Sequence, residues 1–154
     1  MAKIKNCFMD DQPEFYFKAE IDGIDYGMMR HLTDDDFSFI RKYSDRKPIT
    51  DKDGNPVMLE RKVKDKNGKI QTVEEPQYDY DALKLMQGYI LCAFGGTDPY
   101  GYSHKLGQEG WTLDRDCTID NIKLLKPNVK AQLHELILKK AAEFSEQKEA
   151  IEKN

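Results

Sequence analysis

The clearest periodicity in the chain lies between Glu14 and Met29. Phe15, Phe17, Ala19 and Ile21 alternate with Glu14, Tyr16, Lys18 and Glu20, the period of two expected of a strand with one buried face. Asp22-Gly23 follows and supplies the positive φ angles of a type I′ turn. With those two residues as the loop, Ile21 pairs with Ile24, Ala19 with Tyr26 and Phe17 with Met28. All six then share one face of a β-hairpin.

The period lengthens after the hairpin. Thr33 offers a helix N-cap with Asp36 three positions on, and Asp34, Asp35 and Asp36 suit the positive end of a helix dipole. Leu32 is placed to staple onto Phe37, and Phe37, Ile40 and Tyr43 form a short apolar stripe ending near Ser44. A second helix runs from Asp79 or Asp81 to Phe94, with Leu83, Met86, Ile90 and Ala93 on one face. Its last turns are apolar nearly all round, which makes it the central helix, and Gly88 within it suits a site of close packing. Gly95-Gly96 stops it. Thr118 caps a short helix carrying Ile119, Ile122 and Leu125, closed by Lys126-Pro127. A long helix from about Asn128 places Val129, Leu133, Leu136, Ile137, Lys140, Ala141 and Phe144 along one side. The charged residues 146–154 read as a frayed tail.

Two segments depart from this regularity. In residues 47–76, the turn signals Asp53-Gly54-Asn55-Pro56 and Asn67-Gly68 separate short β-branched runs, Val57 to Val63 and Ile70 to Val73. This reads as a charged β-meander inserted into the domain and projecting from it. Residues 95–111 form a long loop carrying Tyr100, Tyr102 and the single tryptophan, Trp111. Loops of this length are commonly functional, and aromatics in them suit a recognition surface. Trp111 reads equally well as tucked onto the core. The whole is expected to be one α+β domain over 1–154, predominantly helical, with an N-terminal β-hairpin and a β-meander insertion.

Composition narrows the function classes. The 154 residues suffice for a conventional core, and 34% charged residues favour solubility. The net charge of −4 is well mixed, at −3 over 1–46, +1 over 47–76 and −2 over 77–154. No segment concentrates positive charge as phosphate-backbone binding requires, so no nucleic-acid partner is expected. The chain lacks both a membrane-length apolar run and a signal-peptide core, so the expected setting is intracellular, with no membrane partner. Cys7, Cys92 and Cys117 fit neither a disulfide framework nor a metal knuckle, and Cys92 sits in an apolar run as a small buried residue.

Motifs for chemistry are weak. His31, His104 and His134 have no metal-ligand spacing, and His134 reads as a boundary residue. The acidic triplet 34–36 points three ways around a helix, which favours a helix-start role over a metal site. The turn after Asp51 has its glycine at the fourth position of a would-be calcium loop, where the sixth is needed. The glycines of 95–101 lack both the phosphate-loop lysine and the dinucleotide spacing. No catalytic residue, metal or cofactor is expected, and the chain reads as a non-enzymatic binding protein. A small accessory enzyme with a site in the 95–111 loop, around His104, Asp98 and Asp114, is the alternative from another class.

The order of elements carries a resemblance. Gly-Met-Met-Arg-His-Leu-Thr-Asp-Asp-Asp (27–36) leads from the hairpin into a helix, and a second helix spans Tyr80 to Phe94. A loop then ends at Trp111, and Thr118-Ile119-Asp120-Asn121-Ile122 precedes Leu-Lys-Pro-Asn-Val (125–129) and the long helix. This pattern resembles the tail assembly chaperones of long-tailed bacteriophages over residues 14–145, apart from the 47–76 insertion. The resemblance implies binding of the tape measure protein, recruitment of tail tube protein around it, and residence in the host bacterial cytoplasm. The expected partner-binding residues are Tyr100, Tyr102, Trp111, Leu136 and Phe144. Self-association is left open, and a head–tail connector or other virion morphogenesis component is the nearest rival.

Overall fold

The alternating segment forms a hairpin of β1 (Tyr16–Ile21) and β2 (Ile24–Arg30), as its pattern and turn require. The computed structural model describes residues 7–153, with side chains from 7 to 145; the expected frayed tail at 146–154 therefore lies outside the fully described residues. Ile21 pairs with Ile24 at the turn, but the register slips further along, so Phe17 faces Met29 rather than Met28. The slip centres on Gly27, whose φ of +120° and hydrogen bond to Asp25 Oδ1 (2.9 Å) mark a bulge in β2. A side chain at Gly27 would collide with Gly110 O and Trp111 Cα of the neighbouring strand. The bulge puts Met29 into the core beside Phe17 and Ala19, and it sends Arg30 to the opposite, covered face.

Thr33 and Asp36 form the expected capping box at the start of α1 (Asp34–Tyr43). The buried face of α1 is carried by Asp36, Phe39 and Ile40; Phe37, expected inside, lies at the surface with its ring edge on Tyr89. The insertion then opens and closes on β3 (Lys47–Pro48) paired with β6 (Tyr78–Asp79). Between them β4 (Met58–Lys64) and β5 (Ile70–Pro76) make a separate antiparallel ribbon. The expected meander is thus two small sheets whose base extends to Asp79.

Asp81 caps α2 (Ala82–Ala93) through Leu83 N and Lys84 N, each 3.1 Å from its Oδ1. This helix packs on α1, on α3 (Ile119–Lys123) and on α4 (Pro127–Lys153), which makes it central. Its buried residues are Gln87, Gly88, Ile90, Leu91, Cys92 and Ala93. Leu83, expected on that face, is 64% exposed, because the neighbouring helices cover only the later turns. A Cβ on Gly88 would meet Ile40 Cγ1 at 3.1 Å, so the glycine does mark a close approach of α1. On α4, Leu133 and Ile137 are buried and Val129 and Leu136 pack against the core, while Ala141 faces out.

The long loop is far from structureless. Its last residues form β7 (Gly110–Trp111), which extends the hairpin into a three-stranded sheet beside β2. This strand and the insertion's sheets change the balance, which is 37% helix and 27% strand. The chain is a mixed α+β fold and not a predominantly helical one. No described helix is long and apolar enough to cross a membrane.

Candidate functional site

Arg30 is a charged residue only 1% exposed, in a place that must satisfy five N–H groups. The bulge at Gly27 turns its side chain beneath the 104–110 segment. Its Nη1 donates to Asp36 Oδ2 (2.6 Å) and to His31 O (2.8 Å), and its Nη2 donates to His104 O (2.6 Å) and Asp36 Oδ1 (3.2 Å). Nε lies 2.7 Å from Glu109 Oε2, yet its N–H is not aimed at that oxygen, so charge and not a formed hydrogen bond holds this contact. Glu109 is itself buried and also accepts from Gly107 N (2.7 Å) and Leu106 N (3.0 Å), folding the loop around its carboxylate.

His104 is the second cation of this group. Its Nδ1 is 2.8 Å from Asp36 Oδ1 and its Nε2 is 2.9 Å from Asp98 Oδ2. Carboxylate oxygens only accept, so both ring nitrogens donate and the ring is held as imidazolium. Burial works against that charge, but the hydrogen bonds to Asp36 and Asp98 outweigh it and raise the pKa above the usual histidine value. Asp36 moves the other way. Burial would raise it, but hydrogen bonds from His104 and Arg30 prevail and hold it down to about 2.

Asp98 reaches His104 because its other oxygen builds the turn that presents it. Its Oδ1 accepts from Tyr100 N (2.9 Å) and Tyr102 N (3.1 Å), and Gly101, at φ +89°, completes the loop. The same Asp-x-x-Gly-x turn occurs at Asp51 and at Asp65, each accepting two backbone N–H groups through Oδ1. In those exposed copies the second carboxylate oxygen bonds no buried group.

Cys92 completes the cluster with Sγ 3.7 Å from His104 Nδ1. One ligand atom from each of Asp36, Cys92 and His104 lies within 4.8 Å of the other two, so these three residues are the described set that could hold a metal ion. Their chemistry fits an ion poorly. Nδ1 is committed to Asp36, whose oxygens also receive the Arg30 guanidinium, and burial pushes the Cys92 thiol far above its ordinary range. The same facts disfavour a nucleophile, since Cys92 is 0% and His104 2% exposed. Paired charges join β2, α1 and the 98–109 loop, with the neutral Cys92 thiol of α2 packed against them, which is a scaffold role.

The residues expected to bind a partner are spread over two regions. Tyr100 and Tyr102 project from the Asp98 turn, 57% and 54% exposed, with Lys42 Nζ 4.2 Å from the centre of the Tyr100 ring. Trp111 is half-buried against Phe94, with ring centroids 5.8 Å apart, and its Nε1 donates to Arg115 O. Leu136 packs on the core, and Phe144 stacks on His31 at 4.3 Å. Of the residues named for an alternative enzyme, Asp98 and His104 do meet. Asp114 is exposed elsewhere, on a groove lined by Trp111, Leu113, Leu124 and Leu125.

Sequence reasoning missed Arg30 and Glu109 altogether and saw Asp36 only as a cap. The available signals were the threefold Asp-x-x-Gly-x pattern and a lone acid, Glu109, set between Gly107 and Gly110. The Trp111 groove encloses about 260 Å³, below the roughly 300–1,000 Å³ of small-molecule pockets but sufficient for one large apolar side chain. Comparison of the chain with protein-family models, with curated proteins and with solved structures finds no match.

Proposed function

We propose that this chain is a non-enzymatic tail assembly chaperone of a long-tailed bacteriophage, acting in the host cytoplasm. It binds the helical tape measure protein, keeps it soluble and brings tail tube subunits to it. The observation that carries this reading is the groove between the Trp111 segment and α3, with an apolar floor and Asp114, Arg115 and Asn121 along its lining. There Leu124 stands 69% exposed beside Trp111, Leu113 and Leu125. An amphipathic client helix docks by setting apolar side chains into such a groove. The chemically versatile residues Cys92, His104 and Asp36 are sealed in the interior, which favours binding over catalysis.

Co-expression with the tape measure protein tests the reading. The wild-type chain should keep that protein soluble and co-purify with it. Leu124→Asp, at a surface position with little folding cost, should weaken the complex about tenfold or more. A client that stays insoluble beside the wild-type chain, or recovery of the chain in finished virions, would overturn the proposal.

A further inference from the structure

The β4–β5 ribbon is an anomaly of the fold. Apart from its base it makes no extensive contact with any helix or strand of the body, and the outer edge of β4 has no partner strand among the described residues. A two-stranded ribbon standing alone is marginal in water, and its outward N–H and C=O groups are a template for another strand.

The sequence of β4, Met-Leu-Glu-Arg-Lys-Val-Lys, is complementary to itself about Arg61. Set antiparallel against a second copy of the strand with a twofold axis at Arg61, Glu60 faces Lys62 and Leu59 faces Val63, each pair twice. Opposed partners share a face in such a pairing, so the two charge pairs lie on one side of the seam and the two apolar pairs on the other. The arginines meet at the axis, and each is already neutralised from behind by Glu75 at 2.7 Å.

A second observation points the same way. Within the ribbon Glu60 sits directly opposite Glu74, an unfavourable like-charge pair, and neither has a cation partner among the described residues. In the paired arrangement Lys62 of the second copy takes its place beside Glu60. Charges on an edge strand ordinarily guard against pairing. Such a guard works by repelling every copy of itself, whereas here the signs reverse across the centre of the strand.

We infer that the ribbon is a homodimerisation arm, joining two copies of this chain through antiparallel β4–β4 pairing centred on Arg61. The product is a four-stranded sheet in the order β5-β4-β4-β5, an isologous contact that closes at two copies. This inference stands apart from the chaperone reading and survives or fails independently of it.

Sedimentation equilibrium of the full chain over micromolar concentrations is the test. The wild type should be a monomer–dimer equilibrium. Lys62→Glu, which turns both charge pairs repulsive, should raise the dissociation constant about tenfold or more. The double swap Glu60→Lys with Lys62→Glu restores complementarity and should restore the dimer. A geometric readout complements this. With the exposed Cys7 replaced by Ser, Arg61→Cys should give a disulfide-linked dimer on mild oxidation. Lys62→Cys should not, since position 62 lies opposite position 60. A wild-type chain that remains monomeric, a dimer indifferent to Lys62→Glu, or open-ended oligomers would each overturn the inference.

Discussion

Two cations, Arg30 and His104, are held in the interior by Asp36, and each partner depends on the others. Removing one member of such a buried set leaves an uncompensated charge, which costs about 3–5 kcal/mol. Asp36→Asn, which keeps the shape, should therefore lower stability by that amount in urea unfolding; a cost under about 1 kcal/mol would show that the network only fills space. The pH dependence follows from the two shifted groups. Asp36, held near 2 from an ordinary 3.8, contributes fully above 3.8 and loses its contribution as pH falls toward 2. His104 is raised above its ordinary 6.5, so its contribution is full below 6.5 and fades as pH rises through the higher folded value. The stability difference between wild type and Asp36→Asn should accordingly be widest between 3.8 and 6.5 and narrow on both sides.

At the scale of elements, one glycine decides where the hairpin points. Gly27 bulges β2, brings β7 within contact of its Cα and turns Arg30 under the loop. Gly27→Ala adds both a collision and a backbone conformation that L side chains rarely adopt, and should cost about 2 kcal/mol or more. Gly23, at the open hairpin turn, also has a positive φ but nothing within 4 Å of a Cβ. Gly23→Ala should therefore cost only about 1 kcal/mol, and thermal unfolding of the two variants side by side measures the contrast. Equal losses would remove the bulge as the reason for the glycine. Two of the element caps, by comparison, were readable beforehand: Thr33 with Asp36, and Thr118, each act within three residues of themselves, whereas the sequence offers Asp81 only as one of two starts of α2.

Over the whole molecule the body and the ribbon are separate constructions. Lys47 and Asp79 are paired neighbours, so the chain enters and leaves the insertion at one point. Replacing residues 49–77 with a short Gly-Ser turn should leave the body folded, with Tm within about 3 °C of the monomeric wild type. Loss of cooperative unfolding in that variant would mean that the ribbon supports the core. The charged cluster belongs entirely to the body, where it ties the sheet, α1 and the 98–109 loop together. The Trp111 groove and the ribbon lie outside it, at the surface.

The sequence by itself determined what short-range chemistry controls. A capping box, an Asp-Gly turn and the apolar runs of α2 and α4 depend on residues a few positions apart, whose geometry is the same in any fold. Only the tertiary structure decided which face each helix buries, where the hairpin register slips and what becomes of the 95–111 loop. Leu83 and Phe37 fit their apolar stripes but are exposed, because the neighbours that would cover them dock elsewhere. Arg30 reads as an ordinary surface residue until His104, 74 positions away, supplies an acceptor, and Asp36 meets the His104 ring across 68. Burial of charge is a property of partners brought together by the fold, and one-dimensional spacing does not record it.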